Sequence, residues 1–226
     1  MISSVWEKAG KNGNGFVLNL NIVKVLLSKL RNKGTQRKEF IETSNRVFTL
    51  LLEMALSDVP VTTTKQISGT QAEYDHFEFS NPKLCLVPIL RSGEAVSNVG
   101  RLLTNDVAIA SILLQRNEES ESKDAVFYYK KIPKDIVERE VFLVDPMLAT
   151  GGSSIKALEL LAEEGVDPNL VRFVNLVSCP DGLDALYQKF PGVKVYTAAV
   201  DPVLDQRKYI LPGLGDFGDR FYGTGD

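Results

Sequence analysis

Two N-terminal stretches of the chain place hydrophobic residues at helical spacing, and the remainder contains continuous apolar runs. The first helical pattern spans Leu20–Leu30, and the second spans Phe40–Ala55 and is ended by Asp58–Pro60. Beyond that point, short apolar runs rich in β-branched residues alternate with further helical patterns. The runs are Leu84–Leu90, Val107–Leu114, Val141–Val144, Leu170–Val177 and Val193–Val200, and the helical patterns are Glu94–Leu103, Ser153–Glu164 and Asp181–Phe190.

The apolar runs predict an α/β fold built on an open parallel sheet flanked by helices. A run that is apolar throughout, without alternation, is typical of a strand covered on both faces. Strands that alternate with helices along the chain form a parallel sheet with helices packed on it. We therefore expect one domain over residues 18–226, preceded by a flexible segment over residues 1–17, which is polar and rich in glycine and asparagine. Sites in such folds lie beyond the carboxyl ends of the strands.

Composition and charge narrow the class of protein. The 226 residues are 44% hydrophobic, which excludes a disordered chain, and the net charge of −3 disfavours nucleic acid as a partner. The most apolar helical stretch, Val47–Leu56, is short and contains Glu53, and the N-terminus has no secretory signal, so we expect neither a membrane span nor secretion. Cys85 and Cys179 match neither a zinc nor a redox spacing, which favours reduced thiols in a cytoplasmic protein.

The segment from Asp145 to Ser154 is the strongest candidate for a phosphate site. A buried run ends in Asp145, a Thr-Gly-Gly-Ser loop follows, and a helical pattern begins. Glycines let the main chain approach a ligand, and the N–H groups at a helix N-terminus bind phosphate. The carboxylate of Asp145 can accept hydrogen bonds from sugar hydroxyls. The alternative is a tight turn capped by serine or threonine. The segment matches neither the nucleoside-triphosphate loop nor the dinucleotide fingerprint.

Two arginines follow two of the predicted strands. Arg91 comes directly after Leu84–Leu90, and Arg116 comes shortly after Val107–Leu114. A guanidinium at a strand end suits a monophosphate or diphosphate, because its donors match phosphate oxygens in pairs. The alternative for each is an ordinary surface arginine.

A polar stretch, Asn117–Lys123, precedes Val126–Lys131, and together they predict an exposed hairpin arm. Such an arm can close over a charged ligand and exclude water. A solvated loop without a role is the alternative, and the acidic run Glu118–Glu121 is interpreted as its solvated tip.

The C-terminal stretch Tyr209–Thr224 is rich in glycine and aspartate, which predicts a shaped loop with exposed main-chain donors and acceptors. Such a loop can bind a small planar heterocycle by its C=O and N–H edges. A structural arm at an oligomer contact is the alternative. His76, the single histidine, has no nucleophile pattern beside it and is interpreted as solvated.

Three motifs together resemble the uracil phosphoribosyltransferase family. They are Pro-Ile-Leu-Arg-Ser-Gly at 88–93, Val-Asp-Pro-Met-Leu-Ala-Thr-Gly-Gly-Ser at 144–153 and Pro-Gly-Leu-Gly-Asp-Phe-Gly-Asp-Arg at 212–220. They occur in family order, and the resemblance runs from about Leu20 to the C-terminus. It implies the type I phosphoribosyltransferase fold, with a flexible β-arm and a C-terminal hood loop. It also implies transfer of phosphoribosyl from 5-phosphoribosyl 1-diphosphate to N1 of uracil, giving UMP and diphosphate in pyrimidine salvage.

The same resemblance implies a role for each site residue. Arg91 and Arg116 hold the diphosphate, and Asp216 faces the phosphoribosyl substrate or its metal. The expected catalytic residues are Arg91, Asp145 and Asp216. The ribose 5-phosphate loop comprises Asp145, Pro146, Met147, Leu148, Ala149, Thr150, Gly151, Gly152 and Ser153, and the uracil site comprises Ile210, Gly215, Asp216 and Phe217.

The resemblance further implies a cofactor and partners. Mg²⁺ is the expected cofactor, held mainly by substrate oxygens rather than by a dedicated protein cluster. A homodimer or homotetramer is expected, and Lys33 and Arg37 match positions at which some members bind an activating GTP.

The flap departs from the family pattern, because Asn117 follows Arg116 where many members have an acid. The alternative is therefore a non-catalytic nucleotide-binding or regulatory protein on the same fold. An RNA-binding regulator is disfavoured by the acidic balance.

Overall fold

A computed structural model describes residues 5–11, 13–102, 107–116 and 125–225 of the chain, apart from the side chains of Arg116 and Ala125. The helices are α1 (Asn21–Arg31), α2 (Arg37–Leu56), α3 (Glu94–Gly100), α4 (Gly152–Glu163), α5 (Pro180–Lys189) and α6 (Phe217–Tyr222). The strands are β1 (Trp6–Ala9), β2 (Gly15–Leu18), β3 (Val61–Ile67), β4 (Glu73–Phe79), β5 (Leu84–Leu90), β6 (Val107–Ile109), β7 (Ser111–Arg116), β8 (Ala125–Lys131), β9 (Glu140–Val144), β10 (Met147–Leu148), β11 (Arg172–Ser178), β12 (Lys194–Val200), β13 (Val203–Leu204) and β14 (Ile210–Leu211).

Most of the described strands form one sheet with a parallel centre. Its order is β1-β2-β12-β11-β9-β5-β7-β8, with β10 added beside β11 and β6 beside β5. Neighbours from β2 to β7 in this order pair in parallel, whereas β1 and β8 run antiparallel at the two edges. The open parallel sheet flanked by helices confirms the predicted α/β fold.

Alternate side chains of the central strands enter two separate cores. Leu86 and Phe142 pack on the face covered by α1, α2, α3 and α6. Their neighbours Cys85 and Leu143 pack on the opposite face, which α4 and α5 cover. This alternation follows from the two-residue period of a strand. Because helices cover both faces, the carboxyl edge of the sheet is the place where loops can form a site.

The N-terminal residues form a hairpin, and the prediction of a flexible segment over residues 1–17 is wrong for those in β1 and β2. Strand β2 pairs in parallel with β12 and so extends the sheet. The rings of Trp6 and Phe16 lie 5.5 and 5.1 Å from the ring of Tyr196. Aromatic packing against Tyr196 of β12 outweighs the local richness in glycine and asparagine. Residues 1–4 and 12 lie outside the described residues.

The predicted strand Val107–Leu114 is two strands in the structure. Strand β6 pairs with the first half of β5, and β7 pairs with its last residues and with β8. Between them, the N–H of Ala110 donates to the carbonyl of Leu86 at 2.9 Å, so the contact with β5 is kept across the break. The predicted arm Val126–Lys131 lies in β8, while residues 117–124 lie outside the described part of the chain.

A further hairpin, β3 with β4, was not predicted from the sequence. Nearly all of its residues are exposed, and it pairs with no other strand among the described residues. Of the described helices, none is both long and apolar enough to cross a membrane.

Candidate active site

A cleft of about 320 Å³ lies at the carboxyl edge of the parallel strands. It is bounded by the turn after β5, the loop after β9 and the segment that leads from β13 to α6. Polar groups from distant parts of the sequence therefore converge where a parallel sheet is expected to bind its ligand. The predicted site residues that line this cleft are Arg91, Asp145, Met147, Ala149, Ser153, Ile210, Gly215, Asp216 and Phe217.

The loop after β9 combines an acid, a left-handed glycine and a helix N-terminus. Asp145 directly follows β9, and its N–H donates to the carbonyl of Val174 at 3.3 Å. Gly151 adopts φ 84°, and α4 begins at the next residue with no side-chain cap. A Cβ at Gly151 would lie 3.1 Å from the carbonyl oxygen of Gly182, so the turn also packs tightly against α5. The first N–H groups of a helix have no partner within it, so the turn into α4 suits an anion.

The two serines of this loop, Ser153 and Ser154, differ in whether they line the cleft. Ser153 lines the cleft, whereas Ser154 is buried and donates to the carbonyl of Gly151 at 2.9 Å. The remaining predicted loop residues complete the turn without lining the cleft. They are Pro146, Leu148, Thr150, Gly151 and Gly152.

Arg91 lines the cleft and is held loosely by residues of the C-terminal segment. Its Nη2 lies 3.4 Å from Oδ1 of Asp219 and 3.2 Å from Oγ1 of Thr224. Its guanidinium lies over the ring of Tyr222, 5.0 Å from the centroid, and the Tyr222 hydroxyl donates to the Arg91 carbonyl at 3.1 Å. Burial raises the pKa of that tyrosine, which keeps its hydroxyl protonated as a donor.

Gly93 explains the sharp turn that presents Arg91. A Cβ at Gly93 would lie 2.4 Å from the carbonyl oxygen of Val144 and 2.7 Å from that of Ile89. No side chain fits between these strands. The peptide bond between Leu90 and Arg91 is cis.

The C-terminal part of the cleft lining, Ile210 and residues 215–218, includes two glycines. Gly213 and Gly215 have φ values of 56° and 75°, and Asp216 caps α6 by accepting a hydrogen bond from the N–H of Asp219 at 2.9 Å. The ring of Phe217 is buried in the core, 5.4 Å from the ring of Phe40. Phe217 therefore anchors the loop by its side chain, and only its main chain is available to a ligand.

Arg207 and Lys208 also line the cleft and were not predicted from the sequence, whereas Tyr209 beside them is the first residue of the predicted loop Tyr209–Thr224. They form a tight turn in which Oδ1 of Asp205 accepts hydrogen bonds from the N–H groups of Arg207 and Tyr209, both at 2.8 Å. Lys208 has φ 70°, a left-handed conformation that is uncommon outside glycine. The available signal was the polar Asp-Gln-Arg-Lys turn between two short apolar segments.

The other predicted residues are Arg116, Lys33 and Arg37. The side chain of Arg116 lies outside the described residues, although its backbone ends β7. Lys33 is exposed on the turn between α1 and α2, and Nε of Arg37 donates to the carbonyl of Phe221 at 3.0 Å. Neither lines the cleft. The described residues contain no group of three or more His, Cys, Asp or Glu side chains that could hold a metal ion.

Comparison with known proteins decides the family. A sequence model described as "Uracil phosphoribosyltransferase" matches residues 17–224. The chain belongs to the uracil phosphoribosyltransferase family. It is thus an enzyme of the phosphoribosyltransferase class, and the resemblance of its three motifs to this family is confirmed.

One relative in this family is similar over nearly the whole chain. It is uracil phosphoribosyltransferase 1 of Schizosaccharomyces pombe, which is 41% identical over 215 residues, covering 95% of this chain and 97% of the relative. Two solved structures support the fold. The AQ2163 protein from Aquifex aeolicus superposes with a TM-score of 0.83 at 26% identity, covering 93% of this chain and 99% of that one. Adenine phosphoribosyl transferase from Trypanosoma brucei has a TM-score of 0.54 at 12% identity, covering 83% and 84%, and is similar in fold alone.

Proposed function

We propose that this family member transfers phosphoribosyl from 5-phosphoribosyl 1-diphosphate to N1 of uracil, giving UMP and diphosphate in pyrimidine salvage. One observation carries the proposal. A single cleft places the strand-end groups Arg91 and Asp145 and the α4 turn beside the glycine-rich main chain of the C-terminal loop. A sugar phosphate needs charged groups and N–H donors, a planar base needs main-chain groups, and the two must lie a short distance apart.

The turn into α4 is the proposed site of the ribose 5-phosphate. The N–H groups that follow Gly151 and the hydroxyl of Ser153 supply donors, and the helix N-terminus carries partial positive charge. Thr150 adds a second hydroxyl at the same turn. Asp145, at the tip of β9, is placed to accept hydrogen bonds from the ribose hydroxyls.

Arg91 is the proposed ligand of the diphosphate, together with Arg116. Just over half of the Arg91 side chain is exposed, and its carboxylate partner Asp219 is 3.4 Å away. Exposed pairs of this kind contribute little stability, so a diphosphate can replace the carboxylate at small cost. Arg207 and Lys208 add two further positive charges to the cleft wall. These charges favour a highly anionic substrate and a departing diphosphate.

The proposed uracil site is the main chain of Ile210 and of residues 215–217. Main-chain N–H and C=O groups can pair with the alternating carbonyl and N–H edge of a pyrimidine. The buried ring of Phe217 and the cap made by Asp216 hold this main chain in place. Rigid placement raises the rate, because base and sugar meet in a fixed geometry.

The residues present fit Mg²⁺, which we propose as the cofactor. Asp145 and Asp216 bring carboxylate oxygens to the same cleft, and oxygen ligands are those that Mg²⁺ prefers. Bound to the diphosphate, the ion would neutralise negative charge on the leaving group. Asp145 and Asp216 would orient the substrate oxygens, and the arginines would stabilise the charge that develops as the C1′–O bond breaks.

Three finer properties belong to this proposal. A homodimer or homotetramer is supported by the exposed β3–β4 hairpin, since an isolated two-stranded hairpin is marginally stable alone. A cytoplasmic location is supported by the two free, buried cysteines. Activation by GTP is proposed at Lys33, which is exposed on the turn before α2, and at Arg37, the first residue of α2; Nε of Arg37 donates to the carbonyl of Phe221 and so connects this position to the C-terminal segment.

The test is an assay of UMP formation from uracil, 5-phosphoribosyl 1-diphosphate and Mg²⁺. We expect turnover with uracil and none with orotate or hypoxanthine. Asp145→Asn should lose most activity while the protein stays folded, because the amide removes the negative charge at the ribose. Binding of UMP without any turnover by the wild-type protein would instead support the non-catalytic alternative.

A further inference from the structure

Gly213 in the C-terminal loop is held by an ion pair that does not line the cleft. Nη1 and Nη2 of Arg31 donate to Oδ2 and Oδ1 of Asp201 at 2.6 and 2.7 Å. Oδ2 of Asp201 also accepts from the N–H of Gly213 at 2.9 Å, and Nη1 of Arg31 donates to the Gly213 carbonyl at 2.9 Å. One arginine–aspartate pair therefore satisfies both main-chain groups of a single glycine.

The pair is itself fixed to the edge of the sheet. Asp201 directly follows β12, and its N–H donates to the carbonyl of Ser178 at 2.9 Å. Only 4% of Asp201 is exposed. Charge-assisted hydrogen bonds are stronger in such surroundings than in water. Arg31 is the last residue of α1, so the pair connects a helix end, a strand end and the loop.

Gly213 lies between two parts of the cleft wall, Ile210 and Gly215. A Cβ at Gly213 would lie 2.1 Å from the carbonyl oxygen of Ile210, so no other residue fits there. The loop can thus be positioned at this point only through its main chain. Any displacement of Gly213 moves the main-chain groups on both sides of it.

A second arginine fixes the neighbouring peptide to the same helix end. Nη1 of Arg220 donates to the carbonyls of Leu30 and Leu214 at 2.5 and 2.6 Å. Its guanidinium also lies over the ring of Phe40, 4.2 Å from the centroid. The end of α1 and the loop at 213–214 are therefore held together at two successive residues.

We propose that Arg31 and Asp201 are positioning residues for the pyrimidine. By holding Gly213, they set the main chain of residues 210–215 and with it the affinity for the base. This inference rests on the proposed function of the cleft. It predicts that loss of the pair weakens binding of uracil while binding of 5-phosphoribosyl 1-diphosphate is retained.

Steady-state kinetics of Arg31→Gln provide the test, with Arg139→Gln as the matched control. Arg139 likewise makes two bonds to one carboxylate, Asp135 at 2.9 and 2.8 Å, and one to a carbonyl, Leu84 at 3.2 Å. That carbonyl belongs to the first residue of β5, at the amino edge of the sheet. We expect Arg31→Gln to raise KM for uracil about tenfold, which corresponds to the free energy of one charge-assisted hydrogen bond. KM for 5-phosphoribosyl 1-diphosphate should change little. Arg139→Gln should leave both constants near those of the wild type.

Hydrogen exchange of residues 209–215 provides a readout that does not depend on turnover. We expect faster exchange there in Arg31→Gln but not in Arg139→Gln. Arg31→Lys should be intermediate, because a lysine keeps the charge but cannot make the same set of bonds. An unchanged KM for uracil in Arg31→Gln, or an equal rise in both KM values, would overturn the proposal, as would unchanged exchange. A wild-type protein that makes no UMP would overturn the proposed function, and the exchange data would still decide whether the pair holds the loop.

Discussion

The two edges of the parallel sheet both carry an arginine, but the two arginines differ in burial and in the distance to their carboxylate partners. At the amino edge, Arg172 contacts Asp58 at 3.1 Å and Glu140 at 2.7 Å, and Lys194 contacts Asp58 at 2.7 Å. The Arg172 side chain is only 8% exposed. At the carboxyl edge, the Arg91 side chain is 53% exposed, and its carboxylate partner is 3.4 Å away.

The difference separates charges that stabilise the fold from charges that are available to a ligand. Arg172 and Lys194 already have close carboxylate partners, so a ligand there would have to displace a partly buried network. The cleft at the other edge combines a loosely held arginine with left-handed glycines and a helix N-terminus. Residue type does not distinguish Arg172 from Arg91, but the closeness of the carboxylate partners and the burial of the arginine do.

Removal of Arg91 should produce the largest effect on activity. We expect Arg91→Ala to lower kcat/KM by about a hundredfold or more, because the departing diphosphate loses a cation in the cleft. Arg101→Ala is the matched control, since Arg101 is equally exposed, lies 3.9 Å from Glu94 and does not line the cleft. Initial rates and thermal melting of both variants are the measurements. Equal activity of the two variants would contradict the role of Arg91.

Removal of Arg172 should affect stability instead. We expect Arg172→Gln to lower the free energy of unfolding by about 3 kcal/mol, because Asp58 and Glu140 lose a buried partner. Both KM values should stay near those of the wild type. Denaturant titration and kinetics on the same preparation check this. A loss of substrate affinity without loss of stability would mean that the two edges are not separate.

The unpredicted cations of the cleft should have a smaller effect. We expect Arg207→Gln with Lys208→Gln to raise KM for 5-phosphoribosyl 1-diphosphate about fivefold, as fits exposed charges that act on an anion through solvent. KM for uracil should change less. The effect should shrink as salt is added, and an effect that is independent of salt would argue for loop damage rather than lost charge.

The smallest expected effect is a pH dependence at the amino edge. Burial would raise the pKa of Asp58, but the hydrogen bond and charge of Lys194 and the charge of Arg172 together hold it below its usual value. Because this carboxyl has a lower pKa in the folded state than in the unfolded state, its charge stabilises the fold at pH values above the unfolded pKa, which is about 4. This stabilisation is lost as the pH falls through the folded-state pKa. The difference in melting temperature between wild type and Asp58→Asn should therefore be present at pH 7 and shrink towards pH 3. A difference that does not change with pH would contradict this assignment.

Local pattern was sufficient for the central strands of the sheet. The run Leu84–Leu90 becomes β5 with the same bounds, and the second helical pattern becomes α2 with a few more residues at its N-terminus. The strand tips that carry Arg91 and Asp145 could be found as well. Strand period, helix period and strand ends are properties of neighbouring residues, so they can be read along the chain.

Contacts between distant residues decided the rest. Arg31 and Asp201 are 170 positions apart and meet only once α1 and β12 are packed together. The aromatic contacts that turn the N-terminal residues into an edge hairpin also join distant residues, as does the burial of the Phe217 ring. The sequence alone therefore determined the family, the central strands of the sheet and the strand-end residues Arg91 and Asp145 of the cleft. Tertiary packing decided which charges pair closely and which stay available, because that depends on burial and on partners far away in the chain.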